Sequence, residues 1–268
     1  MIAGENLMKQ EKLIFWQKIA VAVTFVLMVT FNILANALPM NQTTAQVSQT
    51  YSNMFVPAGY TFSIWGVIYI LLALYVLYLF GLFKKLELPK EKLMKINNLF
   101  IALNVFNMLW LFTWHFELML PSVITIITML IALIIINLEF KELDLPAKQK
   151  WMIALPFAVY FGWITVATVA NVSAYLTFLE WDMFGWGDDV WMAIILNVVI
   201  VITSLTTIRL KSYAYAGAVI WGLIGLFVAQ LTTYAGEYVA VWTILIYSVV
   251  LLGLSMTSIF LDSKKQEE

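Results

Sequence analysis

Polar and apolar positions divide this chain into eight long apolar blocks separated by short polar ones. The blocks run over residues 19–38, 60–83, 99–116, 121–138, 151–176, 190–208, 213–233 and 238–260, and are numbered span one to span eight. A helix that crosses a hydrocarbon core needs about 20 apolar residues, within a range of about 17–25. Each block meets that length, so the pattern predicts an all-α polytopic membrane bundle with eight crossings. Pro156 falls in the first turns of span five, where a missing amide donor costs least. Two polar stretches are the least membrane-like: residues 39–56, rich in Asn, Gln, Ser and Thr, and the acidic, aromatic residues 177–189.

Charge placement tests the count independently, because lysine and arginine collect in cytoplasmic loops close to helix ends. Lys9, Lys12 and Lys18 precede or open span one, and Lys84, Lys85, Lys90, Lys92 and Lys95 lie between spans two and three. Lys141, Lys148 and Lys150 separate spans four and five, Arg209 and Lys211 separate six and seven, and Lys264 and Lys265 follow span eight. The other loops carry Glu117, Glu180, Asp182, Asp188, Asp189 and Glu237 and no lysine or arginine. One miscounted helix would break this alternation, so both termini are expected on the cytoplasmic side. The basic N-terminus, its apolar run and Ala35-Asn36-Ala37 also resemble a cleaved signal peptide, but the run exceeds the usual h-region of about 7–15 residues. A membrane anchor is the preferred reading.

Composition narrows the chemistry. Hydrophobic residues make up 63% of the 268 and charged residues 12%, about half the charged share of a soluble domain. A net charge of −1 gives no footprint for nucleic acid. Cysteine is absent and His115 is the only histidine, which removes thiolate chemistry and histidine metal clusters together. With Arg209 the only arginine, lysine-rich usage points to a bacterial cytoplasmic membrane. No ionisable side chain sits mid-span, which argues against proton- or sodium-coupled transport. Spans seven and eight hold no lysine for a retinal Schiff base.

The spans instead carry amide and aromatic groups. In span three Asn104, Asn107, Trp110 and Trp114 recur at helical spacing and share one face. In span five Trp163, Ala167 and Asn171 do the same. Two readings stand side by side: interhelical hydrogen bonding, worth about 0.6–2 kcal/mol for each asparagine, and an apolar ligand pocket with a few orienting polar groups. His115 reads as an interfacial residue. Trp181, Phe184, Trp186 and Trp191 read as headgroup anchors. The stripe Ala214, Ala218, Gly222, Gly225 and Ala229 in span seven reads as a close-packing face, within the chain or across a dimer.

Span two opens Phe55-Val56-Pro57-Ala58-Gly59-Tyr60-Thr61-Phe62-Ser63-Ile64-Trp65-Gly66-Val67-Ile68-Tyr69. This resembles the second helix of the TspO/MBR family, the tryptophan-rich sensory proteins related to the mitochondrial translocator (peripheral benzodiazepine receptor) protein, at Pro57, Gly59, Trp65 and Tyr69. Asn107 and Trp110 fit the family's third helix, with Leu111 where serine is usual, and Trp163, Ala167 and Asn171 fit its fifth, with Pro156 farther upstream. The resemblance covers residues 13–180 and implies a five-helix core there, followed by a three-helix extension over 188–262. It also implies a pocket lined by Trp65, Tyr69, Asn107, Trp110, Trp163, Ala167 and Asn171, opening toward the loop between spans one and two. The implied ligand is hydrophobic and tetrapyrrole-like, such as a porphyrin, and a homodimer is implied as well.

The resulting expectation is a membrane sensor or binding protein for such a ligand, with no certain cofactor. The alternative is a transporter or facilitator of a small apolar or amphipathic solute. An enzyme is the less favoured reading, because no acid–base pair lies at depth and a bound porphyrin would have to carry the chemistry.

Overall fold

The computed structural model describes residues 2–37, 42–82, 88–143, 145–146 and 149–267. Among the described residues, eight helices are long and apolar enough to cross a membrane: Glu11–Ala37, Gly59–Leu79, Lys90–His115, Met119–Lys141, Lys150–Phe178, Asp188–Leu210, Tyr213–Thr232 and Val239–Lys265. They match the eight predicted spans one for one. The predicted ends at Leu38 and Phe83, the start of the polar loop at Pro39, and Lys84, Lys85 and Lys148 lie outside the described residues. Large apolar side chains such as Ile70, Ile124, Val201 and Leu205 point outward from the bundle. Contiguous apolar surface of this extent belongs against lipid; the chain is an integral membrane protein.

The helices outrun the hydropathy blocks at the lysine-bearing end. Span three begins at Lys90, not at residue 99, and span four runs on to Lys141. Charged residues can extend a helix beyond the hydrocarbon, and here they hold the extensions together. Lys92 bridges Glu139 and Glu142, and Lys95 also reaches Glu139, whose side chain is only 10% exposed. Span five starts with a π-helical turn, Lys150–Ala154, and continues as the α-helix Leu155–Phe178 with Pro156 in its first turn. The wider turn sits where proline withholds its amide.

At the lysine-free end, residues 116–118 join spans three and four with Glu117 at φ 55°. The polar stretch after span one, by contrast, contains a helix that the apolar pattern did not predict. Helix Thr44–Thr50 begins with a capping box in which Thr43 and Gln46 exchange side-chain and backbone bonds. Thr44 and Val47 are buried, and Trp114 Nε1 of span three donates to the Thr44 carbonyl at 3.1 Å. Tyr51 donates to Glu117 at 2.5 Å and ties the same segment to the next turn. Burial first, and then the Glu117 hydrogen bond and charge, push the Tyr51 phenol up to about 12. It therefore stays a protonated donor up to about 12, and its contribution to stability, full below 10, is lost as pH rises from 10 through about 12.

Span five is the hub. It packs against spans two, four and seven, span three lies between one and four, and spans six and seven both pack on span eight. The small-residue stripe of span seven makes the span five contact possible. A Cβ at Gly222 would lie 2.9 Å from Val166, and one at Gly162 of span five would lie 2.4 Å from the Tyr215 carbonyl oxygen. The stripe is thus consumed within the chain.

Candidate functional site

Six of the seven side chains singled out from the sequence are linked by ring contacts and hydrogen bonds around Trp65, near the start of span two; no such contact involves Ala167 among the described residues. The run-in is fixed by the segment before it: Pro57 and Ala58 lead into a 3-10 turn, Gly59–Ser63, and the α-helix starts at Ile64. Span seven holds this run-in by three hydrogen bonds. Gln230 Nε2 donates to the Met54 carbonyl at 3.3 Å, Ala58 N donates to the Gly225 carbonyl at 3.0 Å, and Trp221 Nε1 donates to the Thr61 carbonyl at 2.8 Å. Gly225 allows that approach, since a Cβ there would sit 2.1 Å from Thr61 Oγ1.

Trp65 touches four rings. It stacks on Tyr69 with centroids 5.7 Å apart, tilts against Trp110 at 5.8 Å, and meets Tyr160 and Trp163 edge-on at 5.7 and 6.2 Å. Trp110 stacks in turn on Trp114 at 6.1 Å, and Phe62 meets Trp163 edge-on at 5.9 Å. Between helices in a bilayer, burying an aromatic ring gains nothing from water transfer, since lipid tails are as apolar as the core. The cluster is therefore held by ring contacts, worth about 0.5–1.5 kcal/mol each, and by hydrogen bonds.

Two polar chains run through it. Asn32 of span one donates to Asn107 Oδ1 at 2.7 Å, and Asn107 Nδ2 donates to the Tyr160 hydroxyl at 2.9 Å. Trp110 Nε1 donates to Asn171 Oδ1 at 3.3 Å, and Asn171 Nδ2 donates to Ser122 Oγ of span four at 2.9 Å. Asn104 bonds Thr24 of span one instead, so the interhelical reading of these asparagines holds for all three. Ala167 lies on the same face of span five and is half-buried. His115 turns back to the Leu111 carbonyl at 2.9 Å and takes no part.

The rings of the aromatic cluster pack directly against one another. Two cavities lie elsewhere along span five. One, of about 310 Å³, opens at the lysine-free end toward span six. The other, of about 670 Å³, opens at the lysine-bearing end among Lys141, Lys150 and Lys211. Two donors inside the cluster are nevertheless unspent: the Trp163 indole N–H and the Tyr69 hydroxyl are buried without a partner among the described residues, and Trp163 is 2% exposed.

Tyr160, Asn32 and Ser122 belong to the site and were missed by sequence reasoning. Asn32 carried a readable signal, a lone amide inside an apolar span. Tyr160 and Ser122 carried none, because their roles arise only from where spans four and five pack.

Residues 18–257 match the family of TSPO-like proteins. The chain belongs to that family. The match takes in spans six to eight and so extends past residues 13–180, to which the sequence resemblance was confined. Within it, span seven of this TSPO-like protein grips the segment before span two. No curated protein and no solved structure matches the chain.

Proposed function

We propose that this TSPO-like protein binds a hydrophobic, tetrapyrrole-like molecule among Trp65, Tyr69, Asn107, Trp110, Trp163, Ala167 and Asn171. The observation that supports it is the pair of unspent donors, Trp163 Nε1 and Tyr69 OH, buried within a cluster of aromatic faces. A buried donor without a partner costs about 1–3 kcal/mol. A flat ligand with acceptor atoms on its edge would recover that cost while stacking on the rings. Because the rings close on one another, binding must part Trp65 from Trp110 or Trp163. The test is a titration of the protein in nanodiscs with protoporphyrin IX, followed by tryptophan fluorescence. Saturable quenching with a Kd of about 1 μM, equivalent to about −8 kcal/mol, is expected. Linear quenching equal to partitioning into protein-free nanodiscs would overturn the reading.

The proposal places the protein in a bacterial cytoplasmic membrane with the lysine-bearing end inside. Since the chain has no cysteine, a single introduced thiol reports topology cleanly. Asp182→Cys should react with a membrane-impermeant maleimide in intact cells, and Ser263→Cys only after lysis. The reverse pattern would invert the orientation.

A further inference from the structure

The cavity at the lysine-free end lies outside the aromatic cluster. Span five supplies Ser173 and Thr177, span six supplies Trp191 and Met192, and the loop between them supplies Trp181 and Met183. Two carboxylates, Glu180 and Asp188, also line it. At about 310 Å³ it is at the small end of ligand sites.

We propose that this cavity binds an alkylammonium cation of the choline type, through Trp181 and Trp191 as an aromatic box and Glu180 and Asp188 as counter-charges. Trp181 and Trp191 both line the cavity and meet edge-on at 77° with centroids 4.8 Å apart. Ring faces attract a quaternary ammonium by about 0.5–2 kcal/mol per cation–π contact, more when it is desolvated.

The charge pattern is independent of that geometry. All 15 lysines and arginines lie in or beside the loops of the opposite end, so Glu180 and Asp188 have no lysine or arginine to pair with on their own side. Glu180 also breaks two local rules. It takes φ 52° at the end of span five, where glycine would be cheaper by about 1–2 kcal/mol. It also sets a negative charge at the negative end of a helix. A cation in the cavity offsets the second cost.

Ser173 also lines the cavity, at 8% exposure. It can bond an alcohol, ester or phosphate oxygen carried two carbons from the ammonium. A bare metal ion is poorly served: no group of three or more His, Cys, Asp or Glu side chains that could hold one occurs among the described residues. The site does not depend on the tetrapyrrole reading, because it shares none of the seven residues of the aromatic cluster.

The ammonium could arrive on a free solute or on a lipid headgroup, and the experiment separates them. The full chain in dodecyl maltoside micelles, which contain no ammonium, is titrated with choline and with its uncharged carbon isostere 3,3-dimethylbutanol. Lysophosphatidylcholine and lysophosphatidylglycerol form the second pair. Tryptophan fluorescence is the readout. Saturable binding of choline, at least about tenfold tighter than the isostere, supports a free solute. Saturation by lysophosphatidylcholine alone, with none by lysophosphatidylglycerol, supports a headgroup. In either case the double variant Glu180→Gln, Asp188→Asn should weaken binding at least about tenfold. Equal affinity for choline and isostere, no saturation by either ammonium compound, or full binding by the double variant would overturn the proposal.

Discussion

Replacing Trp65 by alanine is expected to cost about 3–5 kcal/mol of folding stability. The indole is the one ring that touches Tyr69, Trp110, Tyr160 and Trp163 together. Four ring contacts at about 0.5–1.5 kcal/mol each arrive at the same size by a separate route. The cost comes from lost contacts and the cavity left behind, not from water transfer, so it should persist in a bilayer. Unfolding of the variant by sodium dodecyl sulfate titration, compared with wild type, measures it. A loss below about 1 kcal/mol would mean that the four rings do not pack as one unit. Trp186→Ala serves as the contrast, since that ring is 51% exposed and should change stability by no more than about 0.5 kcal/mol.

The second large effect is expected where span seven meets span five. The added methyl of Gly162→Ala would lie 2.4 Å from the Tyr215 carbonyl oxygen and 2.8 Å from Ala218 Cβ. A carbonyl in a helix backbone cannot swing aside, so the two helices must separate. Overpacking of this kind costs about 1–3 kcal/mol, and the gain of about 1 kcal/mol in helix propensity does not cover the upper part of that range. Gly217→Ala on span seven meets nothing within 4 Å and should be neutral or slightly stabilising. Ala218→Gly should relieve part of the Gly162→Ala loss, because one of the two clashing atoms is removed. Thermal unfolding of the four proteins decides it; equal stability of Gly162→Ala and Gly217→Ala would show that the helices are not in close contact there.

The span seven contact bears on function because the same helix grips the segment that leads into Trp65. Trp221 and Gln230 bond the Thr61 and Met54 carbonyls, while Gly225 accepts from Ala58. Separation of spans five and seven would therefore loosen the aromatic cluster from behind. Span seven thus supports the segment that leads into the cluster although none of the seven cluster residues belongs to it.

The spans were legible because a bilayer forces every backbone polar group into helical hydrogen bonds, so apolar block length and crossing count become one quantity. Helix ends were less so. Hydropathy marks the hydrocarbon, whereas Lys90, Lys92 and Lys95 continue span three beyond it by pairing with span four. Helix Thr44–Thr50 escaped notice because it is polar, although Thr43 and Gln46 carry the spacing of a capping box.

At the site, helical spacing placed Asn107 with Trp110 and Trp163 with Asn171 on shared faces. The resemblance at span two supplied Trp65 and Tyr69. What no spacing could supply was the partner across each interface: Tyr160 between Asn107 and Trp65, Ser122 beneath Asn171, and Trp221 behind Thr61. Nor could it show that the rings pack closed, or that the cavities lie toward the two ends of span five. These follow from how spans four to seven meet.

The central claim is that the aromatic cluster of spans two, three and five is where the ligand sits. Its most direct test is the protoporphyrin IX titration in nanodiscs with three variants beside wild type: Trp163→Leu, Asn171→Leu, and Trp242→Phe in span eight. Binding weakened about tenfold or more by the first two and unchanged by the third is the predicted result. Equal affinity in all four proteins would place the ligand elsewhere and contradict it.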